Sequence, residues 1–354
     1  MIPTRAQPAS PTAEQLWAAP MTSRPQITKQ FESVSCDICG SSANEKVYDY
    51  EVRGVLISIC RCLLCSCVYL NPRPRQSMLG EFYGNAYYSF SFDDSKLAPP
   101  VGFKDRLRLT VLRRHLGYDV IDPSLTVNAP WFVTAALRTS VAVPTFKSGG
   151  YLLDVGCGAG EKLMEFRSLG WKVRGIELSL AAAQAGAQRG IDIDVGPLDR
   201  VPYPENQFSA MTFYHSLEHL PSPTTALRAA YRLLEPGGQL LVVVPNFNSL
   251  ERKIFGKNWG WMQVPIHFYH FTRPVLARAV LSAGFSLHSL GYSFSGQSIG
   301  GLAEGLLRPA SIAVRRVAGP FGMLCALLGT GKALVAKARK PVDPRLPSRD
   351  IRES

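Results

Sequence analysis

No stretch of this 354-residue chain reaches the ~18–20 uninterrupted apolar residues of a membrane-spanning helix. Its first 30 residues hold no apolar run of signal length: Arg5 is followed by Pro, Ala, Ser, Gln and Thr. A secreted disulfide framework is therefore not expected, and the cysteines read as groups in a reducing, cytoplasmic compartment. Acidic residues are short against basic ones, 27 to 39, leaving a formal charge of +12. Residues 301–354 supply about half of that excess, with ten Lys/Arg and four Asp/Glu. The imbalance suits a phosphate-bearing substrate, an acidic membrane surface or RNA, and equally a solvated basic face. The basic residues are dispersed and show no basic–aromatic RNA motif, which disfavours nucleic acid. No internal repeat is visible.

What is present points to a folded chain of about two domains. Apolar residues make up 46% and mean hydropathy is +0.02, so a wholly disordered chain is excluded. Residues 1–31 are rich in Pro, Ala, Ser, Thr and Gln and read as a disordered tail. Residues 32–74 hold six of the eight cysteines on short β-like segments such as Val47–Tyr50 and Val55–Ile59. Residues 75–148 read as a connector with an aromatic cluster (Phe82, Tyr83, Tyr87, Tyr88, Phe90, Phe92) and a basic helix, Lys104–Leu116.

From Tyr151 strands alternate with helices. Tyr151–Val155, Lys172–Glu177, Ile191–Val195, Phe208–Tyr214, Gln239–Val244 and Phe285–Leu290 read as strands. Helices are expected over Glu161–Leu169, from a Ser179 cap to Gly190, over Thr224–Leu234 with a stop at Pro236-Gly-Gly238, and from a Thr272 cap to Gly284. This order predicts an α/β fold with a mostly parallel sheet and helices on both faces. The domain spans residues 149–340, and a loose tail occupies 341–354.

Asp154-Val-Gly-Cys-Gly-Ala-Gly160 follows a strand and opens a helix. Gly156, Gly158 and Gly160 let the backbone turn and approach a ligand. Glu177 ends the next strand, 23 residues after Asp154, where a carboxylate can accept from ribose hydroxyls. A nicotinamide fingerprint needs its third glycine one place later, where this chain has Glu161, an anion unsuited to a pyrophosphate. On these residues the chain resembles the class I S-adenosylmethionine-dependent methyltransferases. Asp154–Gly160 matches their first motif and Glu177 their second. Pro202-Tyr-Pro-Glu-Asn-Gln-Phe208 and Leu234-Glu-Pro-Gly-Gly-Gln-Leu240 resemble their later segments. Ser209 departs from the Asp usual after that Phe. The resemblance covers about residues 150–294 and implies a Rossmann-like sheet, S-adenosylmethionine as cofactor, and Leu198 and Asp199 near its adenine.

Cys36-x-x-Cys39 and Cys62-x-x-Cys65 are matched pairs 22 residues apart, a strong signal for four thiolates on one tetrahedral Zn²⁺. Four protein ligands leave no open position, so the metal is expected to be structural; a redox pair is the alternative. Cys67 reads as buried and inert, Cys157 and Cys325 as small packing residues, and Cys60 as outside the set. This region, with Asn71-Pro-Arg-Pro74, Phe82-Tyr83 and Tyr87-Tyr88, resembles a methyltransferase subgroup with a zinc-ribbon-like N-terminus. Ser66 replaces that subgroup's usual Gly. The resemblance implies methylation of sugars, glycans or other small metabolites.

Four of only six histidines fall in two stretches, His215-Ser-Leu-Glu-His219 and His267-Phe-Tyr-His270. Both follow strands, at the edge where an acceptor should lie, so His219 and His267, with His215 and His270 beside them, are the candidate bases. Packing histidines, or a second metal with Glu218, are the other readings; Glu218 itself reads as solvated or as a helix cap. Trp259 and Trp261 suit either a sugar platform or an interface filler. Residues 317–331 are almost uncharged, flanked by Arg308, Arg315, Arg316, Lys332 and Lys337, and fit helical packing inserted at about 297–330 or peripheral contact with an acidic membrane. Gly331–Lys337 resembles the family's last, antiparallel strand. The expected activity is methyl transfer to a hydroxyl of a sugar, glycan precursor or related metabolite. The alternatives are an RNA methyltransferase and a non-catalytic cofactor-binding protein.

Overall fold

Left-handed turns separate the N-terminal strands of the chain, whose computed structural model describes residues 30–82, 102–293 and 331–342. Most of the expected tail, Tyr83–Phe92 of the aromatic cluster, the insertion about 297–330 with Cys325 and its arginines, and the end beyond 342 lie outside the described residues. Strands β1 (Phe31–Glu32), β2 (Asn44–Val52), β3 (Val55–Cys62), β4 (Val68–Asn71) and β5 (Arg73–Pro74) come first. Arg53 and Gly54 join β2 to β3, both at positive φ (50° and 75°), as a tight two-residue hairpin requires. β3 then pairs with β4, and β1 with β5, all antiparallel.

The main sheet is built from β6 (Tyr151–Val155), β7 (Lys172–Glu177), β8 (Ile193–Val195), β9 (Phe208–Tyr214), β10 (Leu234–Pro245), β12 (Ser286–Tyr292) and β13 (Ala333–Arg339). Their spatial order is β12-β13-β10-β9-β6-β7-β8. β8, β7, β6, β9 and β10 run parallel, and β13 enters antiparallel between β10 and β12. β6 lies between β7 and β9, so the strand order reverses there. Connections leave to opposite sides of that point, and in sheets of this order ligands bind outside the carboxyl ends of the strands there, here β6 and β9. The Rossmann-like fold read from the strand–helix alternation is the fold observed.

The helix Pro223–Leu233 shows how local signals set the boundaries. Ser222 accepts from Thr225 N (3.2 Å), Pro223 takes the first turn, and Ala226, Leu227, Ala230 and Leu233 point into the core. The expected Thr224–Leu234 helix is thus one residue off at each end. Pro236-Gly-Gly238 does not stop it: Leu234 already belongs to β10, and those residues form an irregularity inside that longer strand. Ser179 caps the helix Leu180–Ala187 through Ala182 N (3.3 Å), which ends short of the expected Gly190. Thr272 stands at the N-cap of Arg273–Ser282 without a side-chain bond to it. The expected strand from Ile191 starts at Ile193.

The helices Phe103–Leu116 and Trp131–Leu137 precede the main sheet. Leu112, Leu116 and Tyr118 pack with Phe166 and Trp171, and Trp171 Nε1 donates to Tyr118 Oη (3.0 Å). Arg108 pairs with Glu165 on the helix Glu161–Ser168, so part of the expected basic face is neutralised inside the protein.

Sequence reading did not foresee how the cysteine-bearing sheet docks. β11 (Tyr269–His270) lies on a loop of the main domain yet pairs with β4, giving the order β11-β4-β3-β2. Leu70 N donates to Phe268 O (2.9 Å), and Phe268 N to Glu218 O (2.9 Å). Arg73, from the Asn-Pro-Arg-Pro stretch, donates to Pro221 O (2.7 Å), Tyr269 Oη (3.2 Å) and Glu32 Oε1 (3.0 Å). Asp37, inside the first cysteine knuckle, accepts from Ser222 Oγ (2.6 Å) and Thr224 N (2.9 Å). A carboxylate there faces the positive end of the Pro223–Leu233 helix.

Candidate functional site

Three groups of predicted residues take up three places, and the first is the glycine loop after β6. Gly156, Gly158 and Gly160 all have positive φ (72°, 55° and 84°). A Cβ at Gly156 would stand 2.6 Å from the Cβ of Ser216, so only glycine lets the loop lie against the turn after β9. Ser216 Oγ also donates to Val155 O, tying that turn to the end of β6. Asp154 is buried beneath the loop and accepts from Thr212 Oγ1 (2.5 Å). Burial raises its pKa to about 7, with Thr212 opposing the rise.

Glu177 lies at the carboxyl end of β7. Its Oε2 accepts from Gly158 N (2.9 Å), and its Oε1 from Leu178 N (2.7 Å) and Ser179 N (3.0 Å). A carboxylate offers about four acceptor positions, so about one remains for a ligand hydroxyl. Glu177 therefore fits one strong ribose contact while it also holds the glycine loop. The loop after β8 hangs from the same residue, through Gly196 N to Glu177 O (2.9 Å). On that loop Leu198 is buried and Asp199 is exposed. The narrow glycine cradle, the anchoring carboxylate and the absence of any phosphate-accommodating third glycine fit S-adenosylmethionine.

The second place is the thiol cluster. Cys36, Cys39, Cys62 and Cys65 converge, with all four sulfurs within 4.8 Å of one another. Cys36 Sγ lies 3.4 Å from Cys65 Sγ, and Cys39 Sγ 3.5 Å from Cys62 Sγ. These distances exclude disulfides, which need about 2.05 Å. They approach the roughly 3.8 Å edge of a tetrahedron of sulfurs about 2.3 Å from zinc. Cys60 and Cys67 are buried outside this set. Cys67 hydrogen-bonds toward Cys36, which draws the Cys36 thiol down to about 5, while the Cys67 thiol itself is pushed well up.

The third place is the histidine cluster. His219 and His267 meet edge to face, with ring centroids 4.5 Å apart. His219 Nδ1 lies 3.0 Å from Ile266 O, and His267 Nδ1 2.8 Å from Trp261 O. A carbonyl only accepts, so each Nδ1 carries the proton and Nε2 is left with the lone pair. Burial lowers both pKa values, that of His267 well below the usual value and further through its neighbours His219 and His270. Both rings are neutral near pH 7. Glu218, read from sequence as solvated or as a cap, is instead fully buried beside them, at 0% exposure. A buried carboxylate on a five-residue stretch has no sequence signature beyond its histidine neighbours.

His215 has positive φ (54°), and its ring stacks on Trp261 at 5.2 Å and 27°. Its Nδ1 lies 3.6 Å from Glu218 Oε1. His270 sits in β11 against Phe247 (5.5 Å), one ring away from the His219–His267 pair; burial lowers its pKa to about 3. Trp259 is buried against Phe247 and fills the core, so it forms no sugar platform.

Residues 132–290 match a protein family described as methyltransferase domain. Among curated relatives, a ubiquinone biosynthesis O-methyltransferase of Pseudomonas entomophila is 34% identical over 108 residues, 28% of this chain and 47% of that protein. The Nitrosococcus oceani protein of the same name is 33% identical over 144 residues, 36% of this chain and 59% of that protein. The chain thus spans about half the length of the curated relatives it matches. An S-adenosylmethionine-dependent methyltransferase of Mesorhizobium loti aligns in structure with a TM-score of 0.43 and 18% identity, over 58% of this chain and 96% of that one.

Proposed function

We propose that this chain, whose residues 132–290 match a family described as methyltransferase domain, transfers the methyl group of S-adenosylmethionine to a hydroxyl of a small metabolite. The sulfonium of the bound cofactor supplies an electrophilic methyl. The glycine loop and Glu177 hold it at the carboxyl ends of β6 and β7. The observation that carries the reading is the Glu218–His219–His267 cluster, whose turn is bonded through Ser216 to the end of β6, directly before that loop. An acceptor hydroxyl loses a proton as it is methylated. Two neutral imidazoles beside a buried carboxylate favour that loss, since positive charge arriving among them is stabilised by Glu218.

The curated relatives carry O-methyltransferase names, which supports oxygen as the acceptor atom. Among oxygen acceptors we favour a sugar, a glycan precursor or a related metabolite, on the resemblance of the N-terminal half to the zinc-bearing subgroup. The thiol cluster would hold Zn²⁺ through Cys36, Cys39, Cys62 and Cys65 as a closed structural site. Its place in the mechanism is indirect: through β4 and β11 it fixes the backbone of the His267–His270 segment against Glu218.

Single-turnover methylation at saturating cofactor tests this reading, with labelled S-adenosylmethionine and panels of nucleotide sugars, lipid-linked sugars, phenolic metabolites and RNA. His219→Ala and His267→Ala should slow transfer about 10²–10⁴-fold. Cofactor affinity should change little, because neither residue belongs to the glycine loop or supplies the ribose carboxylate. Wild-type rates in both variants would place the proton acceptor elsewhere.

A further inference from the structure

We propose that Glu218, His219 and His267 form a second metal site, one that takes a divalent transition ion such as Zn²⁺, Co²⁺, Mn²⁺ or Fe²⁺. A ligand nitrogen of each imidazole and a carboxylate oxygen of Glu218 lie within 4.8 Å of one another. Three donors about 2.1 Å from one ion stand roughly 3.0–3.4 Å apart. Small side-chain movements therefore close the set.

Two observations point to an ion independently of that convergence. The first is the state of Glu218. Both carboxylate oxygens are buried and neither has a hydrogen-bond partner. His215 Nδ1 approaches one of them only to 3.6 Å. An ionised carboxylate without compensation costs several kcal/mol to bury, and such groups in folded proteins call for a specific explanation. A bound cation is one that also uses the two rings.

The second is the orientation of the rings. Each Nδ1–H is spent on a backbone carbonyl, Ile266 O for His219 and Trp261 O for His267. That arrangement fixes the tautomer and turns Nε2 into the donor, as the outer hydrogen bond of a metal-bound histidine does. Two imidazoles and one carboxylate suit borderline ions better than Mg²⁺ or Ca²⁺, which prefer all-oxygen shells. Three protein ligands also leave positions open, unlike the four thiolates near β3.

The site deepens the acceptor reading and rests on it in one respect: with both Nε2 lone pairs on the ion, the acceptor's proton would be lost through polarisation by the ion rather than to a ring, and the open positions would take acceptor oxygens, favouring a substrate with two adjacent ones. Ion binding itself needs neither cofactor nor acceptor, and is tested without them. The full chain, stripped with chelator and reloaded with one equivalent of Zn²⁺, is titrated with Co²⁺ by calorimetry and visible absorption. We expect one further equivalent, with nitrogen/oxygen-type d–d bands and no new thiolate charge transfer. Glu218→Gln and His219→Ala should each weaken that binding by at least about tenfold, the size of loss seen when even outer-sphere partners are removed. S-adenosylmethionine affinity, measured on the same samples, should stay within about twofold and reports an intact fold. No second equivalent at about 1 mM Co²⁺, or unchanged binding in both variants, overturns the site. A chain that binds cofactor but no second ion loses only this proposal. One that binds the ion but no cofactor keeps it and loses the methyltransferase reading.

Discussion

Replacing Glu177 by Gln keeps the side chain's size and removes one acceptor. In the wild type Oε2 accepts from Gly158 N, while Oε1 serves Leu178 N and Ser179 N. The amide oxygen of Gln can still serve one of these positions, and the amide nitrogen can serve neither. Whichever way the amide turns, a donor faces a donor. The better rotamer keeps two bonds at Oε1 and points NH₂ at Gly158 N–H, which drives the glycine loop away. The same exchange removes the acceptor left for a ribose hydroxyl. Losing one hydrogen bond to a charged group costs about 1.5–3 kcal/mol. At about 1.4 kcal/mol per decade, S-adenosylmethionine should bind roughly 10–150-fold more weakly. Titration calorimetry with the cofactor, alongside circular dichroism of the variant, measures this. A folded Glu177→Gln protein with wild-type affinity would refute the ribose assignment. Glu177→Ala should be at least as weak, because Gly158 N on the loop, and Leu178 N and Ser179 N after β7, then all lose their acceptor.

Elemental analysis of protein purified without added metal should find about one zinc per chain in a Glu218→Gln background, and Cys62→Ser should remove it; a stable metal-free chain with four reactive thiols contradicts the site. Asp37→Ala removes acceptors for Ser222 Oγ and Thr224 N and should lower stability by about 0.5–2 kcal/mol, read as a shift of the urea midpoint at constant slope; an unchanged midpoint would show that Ser222 caps the helix alone. Acid should destabilise the fold through His270, whose pKa falls from 6.5 to about 3 on burial. Between those values the unfolded chain binds the proton and the folded one does not, so stability drops by about 1.4 kcal/mol per unit as pH falls from 6.5 toward 3. Thermal unfolding across that range should show a shallower slope in His270→Phe, and an equal slope would assign the acid sensitivity elsewhere.

Local chemistry made much of this protein legible before any coordinates. Glycines at 156, 158 and 160 after an apolar strand announce a left-handed turn opening a helix, because few other residues tolerate those dihedrals. Ser179 before an alanine-rich run announces a cap. The repeated Cys-x-x-Cys spacing announces a tetrahedral cluster, since each knuckle brings two sulfurs to one side by itself. β13 was expected through the resemblance of Gly331–Lys337 to the family's last strand, and the strand observed is Ala333–Arg339. Where the chain bent unexpectedly, at Leu234–Gln239, a strong breaker signal met a strand long enough to absorb it.

Relations between segments far apart in the chain were not legible. Tyr269–His270 is too short to show a strand period, and its partner β4 lies about two hundred residues earlier. Asp37 caps a helix that begins at residue 223, which no local pattern reveals. Glu218 looked like a surface acid between a leucine and a histidine, and only packing buried it. The sequence alone determined which residue types could bind a cofactor or a metal, because those depend on dihedrals and spacing within a few residues. The tertiary structure decided which of them meet. His219 leaves β9 and His267 leaves the loop after β10. Their rings and the Glu218 carboxylate come together because backbone hydrogen bonds from Leu70 to Phe268 and from Phe268 to Glu218 hold three distant pieces of chain in register.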